Sequence, residues 1–238
     1  MVLSVFKKSL DGKLEKPVQV VTHEGRSIRK QQKSPHVHQT QLSPDKKFLV
    51  ANDLGTDRIY VYRYYPDAEK QIIEFQDTIP VKTGSGPRHL AFSPDGTTAY
   101  LLQELDGTLT AYKYNNGKFS RLQETSVVVP GFKGEISAAD IHVSQDGNFV
   151  YATNRGDNNT ISVFGVGTNG RLSLLETVAT GGKGPRNFTI SPDGKFVLIA
   201  HQDSNDVIIF NRDKATGKLT PANKKIELCS PVCLVFVP

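Results

Sequence analysis

The stretch GPRHLAFSPDGTTAYLLQELDGTLTAYKY, residues 86–114, decides the fold. A short apolar run (Leu90-Ala91-Phe92) meets the turn cluster Ser93-Pro94-Asp95-Gly96. A second run, Ala99 to Leu102, follows, then the polar turn Asp106-Gly107 and a third run that ends at Tyr114. Short β-rich runs punctuated by Pro, Asp and Gly predict consecutive antiparallel strands. Two charges interrupt the pattern, Arg88 at the start of the first strand and Glu104 at the end of the second. In an antiparallel pair these positions lie at the same end of the ladder.

Working outward, the same unit recurs. The turn cluster returns as Ser43-Pro44-Asp45, Ser93-Pro94-Asp95, Ser144-Gln145-Asp146 and Ser191-Pro192-Asp193, in steps of 50, 51 and 47 residues. Each cluster is followed by two apolar runs, such as Phe149-Val150-Tyr151-Ala152 and then Ile161-Ser162-Val163-Phe164, and by a fourth, more polar run. Four strands in about fifty residues, repeated, is the signature of a β-propeller blade. Because the chain has no Trp, the WD40 type is excluded. Residues 1–25 match only the third and fourth strands of a blade, and residues 230–238 only a first strand. A single, partial propeller domain over residues 1–238 is therefore expected, with about five blades represented. Ring closure is expected to need N-terminal strands amounting to roughly 110–120 residues. Open sheet edges would favour self-association.

Composition narrows the partners. The 238 residues carry a net charge of +5, spread along the chain without a Lys/Arg block interleaved with aromatics. That balance suits a small anionic ligand better than nucleic acid. The opening residues hold too short an apolar run for a signal peptide or a membrane span, and a cytoplasmic protein that contacts no membrane is expected. Cys229 and Cys233 are the only cysteines. On an extended strand they stand roughly 13 Å apart, beyond disulfide reach, and are expected to be buried and reduced. No His/carboxylate cluster has metal-ligand spacing, and neither metal nor cofactor is implied.

Placing the four units in register on their Ser isolates the residues that differ. Five positions before it stand His38, Arg88, Ala139 and Arg186; four before it, Gln39, His89, Asp140 and Asn187; eleven after it, Leu54, Glu104, Arg155 and Gln202. All three sets are expected on one rim, near the central channel. A scaffold that repeats its core and varies one rim suggests a grafted site. Arg88, Glu104 and Arg155 fit such a site and fit equally a rim ion pair without chemistry. The Ser-Pro-Asp clusters read as turn chemistry, and His142 and His201 as core or rim histidines. Asn52 to Asp57 reads as a plain turn in preference to a carboxylate-lined rim.

Several motifs together resemble the seven-bladed lactonase family, which includes bacterial 6-phosphogluconolactonases and fungal carboxymuconate-lactonizing enzymes. They are SPHVHQTQLSPD (34–45), NDLGTD (52–57), GPRHLAFSPDG (86–96), ADIHVSQDGNFVYATNRG (139–156), GPRNFTISPDGKFVLIAHQ (184–202) and SPVCLVF (230–236). The resemblance implies a catalytic set of His38, Arg88, Glu104 and Arg155, with His36 the alternative histidine. It implies substrate contacts from His36, His89, Asp53 and Arg186. The implied activity is hydrolysis of an anionic sugar lactone such as 6-phosphogluconolactone, a step of carbohydrate metabolism in the pentose phosphate pathway. The alternatives are a carboxymuconate-type lactonizing cyclase and a non-catalytic ligand-binding propeller. Glu104 or His38 would act as general base. A carboxylate between two guanidiniums is a weak one, so His38 competes for the role. Arg88 and Arg155 would grip oxyanions.

Overall fold

The structure, a computed structural model, describes residues 2–237. Met1 and Pro238 lie outside the described residues, and Pro238 takes with it the last residue of the expected C-terminal strand. The hairpin β1 (Val2–Lys8) and β2 (Leu14–Thr22) forms a two-stranded sheet. Four four-stranded sheets follow. They are β3 (Val37–Leu42), β4 (Phe48–Asp53), β5 (Arg58–Tyr64) and β6 (Ile73–Pro80); β7 (Pro87–Phe92), β8 (Thr98–Gln103), β9 (Thr108–Asn115) and β10 (Lys118–Ser126); β11 (Ala138–Val143), β12 (Phe149–Asn154), β13 (Thr160–Val166) and β14 (Leu172–Ala179); and β15 (Pro185–Ile190), β16 (Phe196–His201), β17 (Asp206–Arg212) and β18 (Leu219–Glu227). In every sheet, neighbours in sequence are neighbours in space, the meander of a propeller blade. Among the described residues no helix is long and apolar enough to cross a membrane.

The repeated turn is a clasp. In the blade of β7–β10, Ser93 Oγ donates to Asp95 Oδ1 at 2.5 Å and accepts the Thr98 N–H at 2.9 Å, while Asp95 Oδ1 accepts the Thr97 N–H. The other three blades repeat it at Ser43–Asp45, Ser144–Asp146 and Ser191–Asp193. Each clasp satisfies the backbone between first and second strands, so the four clusters are structural.

The chain divides into two compact units, Met1–Pro87 with Asn115–Phe119, and Arg88–Tyr114 with Ser120–Pro238. In the first, Leu3, Val5, Val18 and Val21 of the N-terminal hairpin pack on Ala51, Tyr60, Tyr62 and Ile73. Residues 2–25 thus contain the two paired strands that their pattern predicts. In the second unit, every residue of β8 and β12 is buried. Alternation on β12 serves two cores: Val150 and Ala152 pack with Tyr100, Leu102 and Ile141, and Tyr151 packs with Phe188, Val197 and Phe210. Arg212 bolts the last blade to its predecessor, donating from Nε to Tyr151 Oη at 2.7 Å and from Nη1 to Gly194 O at 3.0 Å, over the Phe149 ring.

Two expectations fail at the C-terminus. Residues 229–237 form no strand; the segment is tied instead by Asn205 Oδ1 to the Ser230 N–H and by Asn187 Oδ1 to the Leu234 N–H. Cys229 and Cys233 are exposed, because without a strand the segment has no alternating face to bury them.

Candidate active site

Two inner strands, β7 and β15, begin with glycine-proline steps whose backbone is held from the preceding blade. Asp57, in a left-handed turn position (φ 53°), accepts the Gly84 and Gly86 N–H groups at 2.6 and 2.8 Å. Asn159 accepts the Gly184 N–H at 2.7 Å. Gly86 and Gly184 each stand two residues before an arginine, Arg88 and Arg186. Sequence reading missed these anchors, although a polar residue at the same turn recurs at Asp57, Asn159 and Asn205.

On the second unit, the expected juxtaposition is present. Arg88, on β7, donates from Nε to Glu104 Oε2 at 2.9 Å, and Arg155, just beyond β12, places Nη2 3.3 Å from Glu104 Oε1. Arg155 Nε donates to Ser137 O at 3.2 Å, while its buried Nη2 has no partner in hydrogen-bonding geometry. Side-chain exposure grades the three: 2% for Arg88, 11% for Arg155 and 20% for Glu104. Arg88 is therefore the floor of the site, with Arg155 and then Glu104 nearer the surface. Burial, with the charge of Arg155 adding to it, brings the Arg88 guanidinium down to about 10. Burial also lowers Arg155, partly offset by Glu104, and the Arg186 charge acts in the same sense on both.

Beside the clamp lies a polar hub that the sequence did not single out. Asp140, almost fully buried on β11, accepts from His89 Nδ1 at 2.7 Å, His142 Nε2 at 3.1 Å and Asn187 Nδ2 at 2.6 Å. It also accepts the Phe188 N–H at 3.2 Å. Burial alone would raise its carboxyl, but the hydrogen bonds from His142 and His89 prevail and hold it well below the usual range. His89 in turn lies with Nε2 3.1 Å from Arg88 Nη1, and its burial pushes the imidazole below its ordinary value. The one signal for this hub was the register set His89, Asp140, Asn187. His142, on the rim, and His201, in the core beside Asp206, fall as expected.

His36 and His38 lie on the first unit, His36 exposed and His38 half-buried, with rings 6.1 Å apart. Asp53 is fully buried, bonded to His23 Nδ1 at 2.7 Å and to the His36 and Gly55 N–H groups. Its oxygens are occupied within the protein, and it holds the backbone at His36 and Gly55. Residues 54–57 form the plain turn favoured above. His89 has both ring nitrogens committed within the protein, to Arg88 and Asp140. Arg186 is half-buried at the start of β15. No group of three or more His, Cys, Asp or Glu among the described residues is arranged to hold a metal ion.

A four-stranded meander repeated in register defines a β-propeller fold, here with a guanidinium–carboxylate–guanidinium clamp at one rim. Residues 2–236 match the family described as lactonase, 7-bladed beta-propeller, and the chain belongs to that family. It is 34% identical to the 6-phosphogluconolactonase of Bacillus subtilis over 236 residues, covering 98% of this chain and 66% of that protein. To the 6-phosphogluconolactonase of Formosa agariphila it is 39% identical over 221 residues, 91% of this chain and 62% of that one. The solved periplasmic gluconolactonase of Pseudomonas aeruginosa superposes with a TM-score of 0.95 at 38% identity, over all of this chain and 66% of that one. The chain thus spans just under two thirds of the length of these curated relatives.

Proposed function

We propose that the clamp of Arg88, Glu104 and Arg155 is the hydrolytic site of a lactonase acting on an anionic sugar lactone of the 6-phosphogluconolactone type. The observation that carries the reading is Glu104 held between two guanidiniums on one rim, with Arg155 Nη2 close by and without a hydrogen bond. The names and identities of the relatives support it.

In this reading Glu104 takes a proton from a water as the water oxygen adds to the lactone carbonyl carbon. Arg155 stabilises the oxyanion that develops on the carbonyl oxygen. Collapse breaks the ring C–O bond; the ring oxygen takes the proton back from Glu104 and leaves as the sugar hydroxyl, and the product is the open-chain acid. A clamped carboxylate is a weak base, and sugar δ-lactones, which open unaided in water, ask little of one. Arg186 adds a third positive charge for a phosphate. His38, matched to Arg88 in blade register, remains the other candidate base.

Lactone hydrolysis above the spontaneous rate, measured on 6-phosphoglucono-δ-lactone and on glucono-δ-lactone, tests the reading. Turnover of the phosphorylated lactone is expected, falling about 10²–10³-fold in Arg155→Ala. Preference for the unphosphorylated lactone would move the assignment toward the gluconolactonase named above. Rates equal to the spontaneous ones on both would overturn it.

A further inference from the structure

We infer that His89 and Asp140 are positioning residues for this site: Asp140 fixes the His89 ring, His89 fixes Arg88 through Nε2, and Arg88 fixes Glu104. The inference rests on the lactonase reading above.

The direction of each bond follows from which atoms carry protons. An arginine side chain only donates. Arg88 Nη1, 3.1 Å from His89 Nε2, therefore requires a lone pair on that nitrogen. The ring proton must then sit on Nδ1, which lies 2.7 Å from Asp140 Oδ1. An ionised carboxylate, which only accepts, selects that tautomer. Asp140 is itself held from β15 by Asn187 Nδ2 and the Phe188 N–H. Arg88 Nη1 also donates to Ala139 O on β11. Two inner strands, β7 and β11, thus meet at one guanidinium, with β15 bonded behind it to Asp140, and the Arg88 Nε reaches Glu104 at 2.9 Å.

This arrangement gives His89 a state-dependent role. The neutral ring accepts from Arg88. The protonated ring would present a donor to a donor and place a positive charge against the guanidinium. The charged and titratable groups acting on His89 are Arg88, Asp140 and His142; those acting on Arg88 are Arg155, Glu104, Arg186 and Asp140. Burial favours the neutral ring, so the acidic limb of activity should lie below the ordinary histidine value.

The test uses the whole chain, with kcat and KM on 6-phosphoglucono-δ-lactone measured across pH. In His89→Gln the amide can donate from Nε2 to Asp140 and accept through Oε1 from Arg88, whereas His89→Leu can do neither. His89→Gln is expected to hold kcat within a few-fold of wild type and to shift the acidic limb to lower pH. His89→Leu is expected to lose about 10²-fold in kcat, as for a small misplacement of a reacting group, with KM little changed. Asp140→Asn, which removes the charge that raises His89, should shift the limb to lower pH. His89→Gln as impaired as His89→Leu would mean proton transfer by the ring and would overturn positioning. So would an acidic limb in His89→Gln unshifted from that of wild type, a result that needs no folded leucine variant. Wild-type turnover separates these failures from that of the lactonase reading, with which the inference would also fall.

Discussion

Arg88 lies beneath Glu104: its Nε donates to Glu104 Oε2 at 2.9 Å, yet only 2% of the arginine side chain is exposed, against 20% for the glutamate. Antiparallel register brought the two to one rim, and the depth of the inner strand put the arginine under the carboxylate. An arginine so buried does more than wait for substrate. It makes the charge of Glu104 part of the fold.

The two halves of that pair should respond unequally to mutation. Glu104→Gln leaves a buried guanidinium with one counter-charge fewer, and stranding a buried charge costs about 3–5 kcal/mol. Arg88→Met removes the buried charge and leaves Glu104 with Arg155 and solvent. Thermal unfolding should rank wild type above Arg88→Met and Arg88→Met above Glu104→Gln, with both variants losing lactone turnover. The reverse order would mean that Arg88 is stabilised chiefly by Ala139 O and His89.

The turn clasps should matter to stability alone. Ser144→Ala removes the acceptor of the buried Phe149 N–H and the donor to Asp146. An unsatisfied buried group costs about 1–3 kcal/mol, and each kcal/mol is worth about 2–4 °C in Tm for a chain of this size. Calorimetry should show that loss with kcat and KM unchanged. Altered kinetics would contradict the assignment of the cluster as purely structural.

What was legible in the sequence was what is local. Ser93, Asp95 and Thr98 bond within six residues, so the blade repeat shows in the text of the chain. Arg88 and Glu104 are sixteen residues apart on neighbouring strands, and register alone relates them. Asp140 reaches His89 across 51 residues and Asn187 across 47. His23 reaches Asp53 across 30. Each side chain there could equally have faced solvent, and only packing between elements decides. The C-terminal segment misled because an apolar run reads as a strand whether or not a partner edge accepts it.

Glycine beside the site is open to a direct test. Gly156 follows Arg155 with φ +67°, and a Cβ there would stand 2.2 Å from Glu135 O. Gly131 has φ +83° but meets nothing within 4 Å. Gly131→Ala should cost only the left-handed penalty of about 1–2 kcal/mol. Gly156→Ala should cost more and also lower kcat, because relief of the clash moves the residue bonded to Arg155. Denaturant melts of the two variants decide it; equal losses would mean that the Glu135 loop yields freely.

The last prediction concerns acid. His201 is wholly buried at the end of β16, with Nδ1 2.9 Å from Asp206 Oδ1. Burial pushes its imidazole below the ordinary 6.5, outweighing the opposing pull of Asp206. The unfolded chain therefore takes up this proton first, and protonation favours unfolding. The stability tied to the neutral ring is complete above pH 6.5 and is lost as pH falls toward the folded value. His89, lowered in the same sense, adds to the slope. Asp53 and Asp140, whose carboxyls are held down, lose their contributions only at lower pH, below the ordinary carboxylate range. Tm should thus be level at neutral pH, begin to fall near pH 6.5, and fall less steeply between pH 6.5 and 5 in His201→Gln. A wild-type Tm that stays flat across that window, or an unchanged slope in the variant, would show that the buried ring is free to move into solvent on protonation.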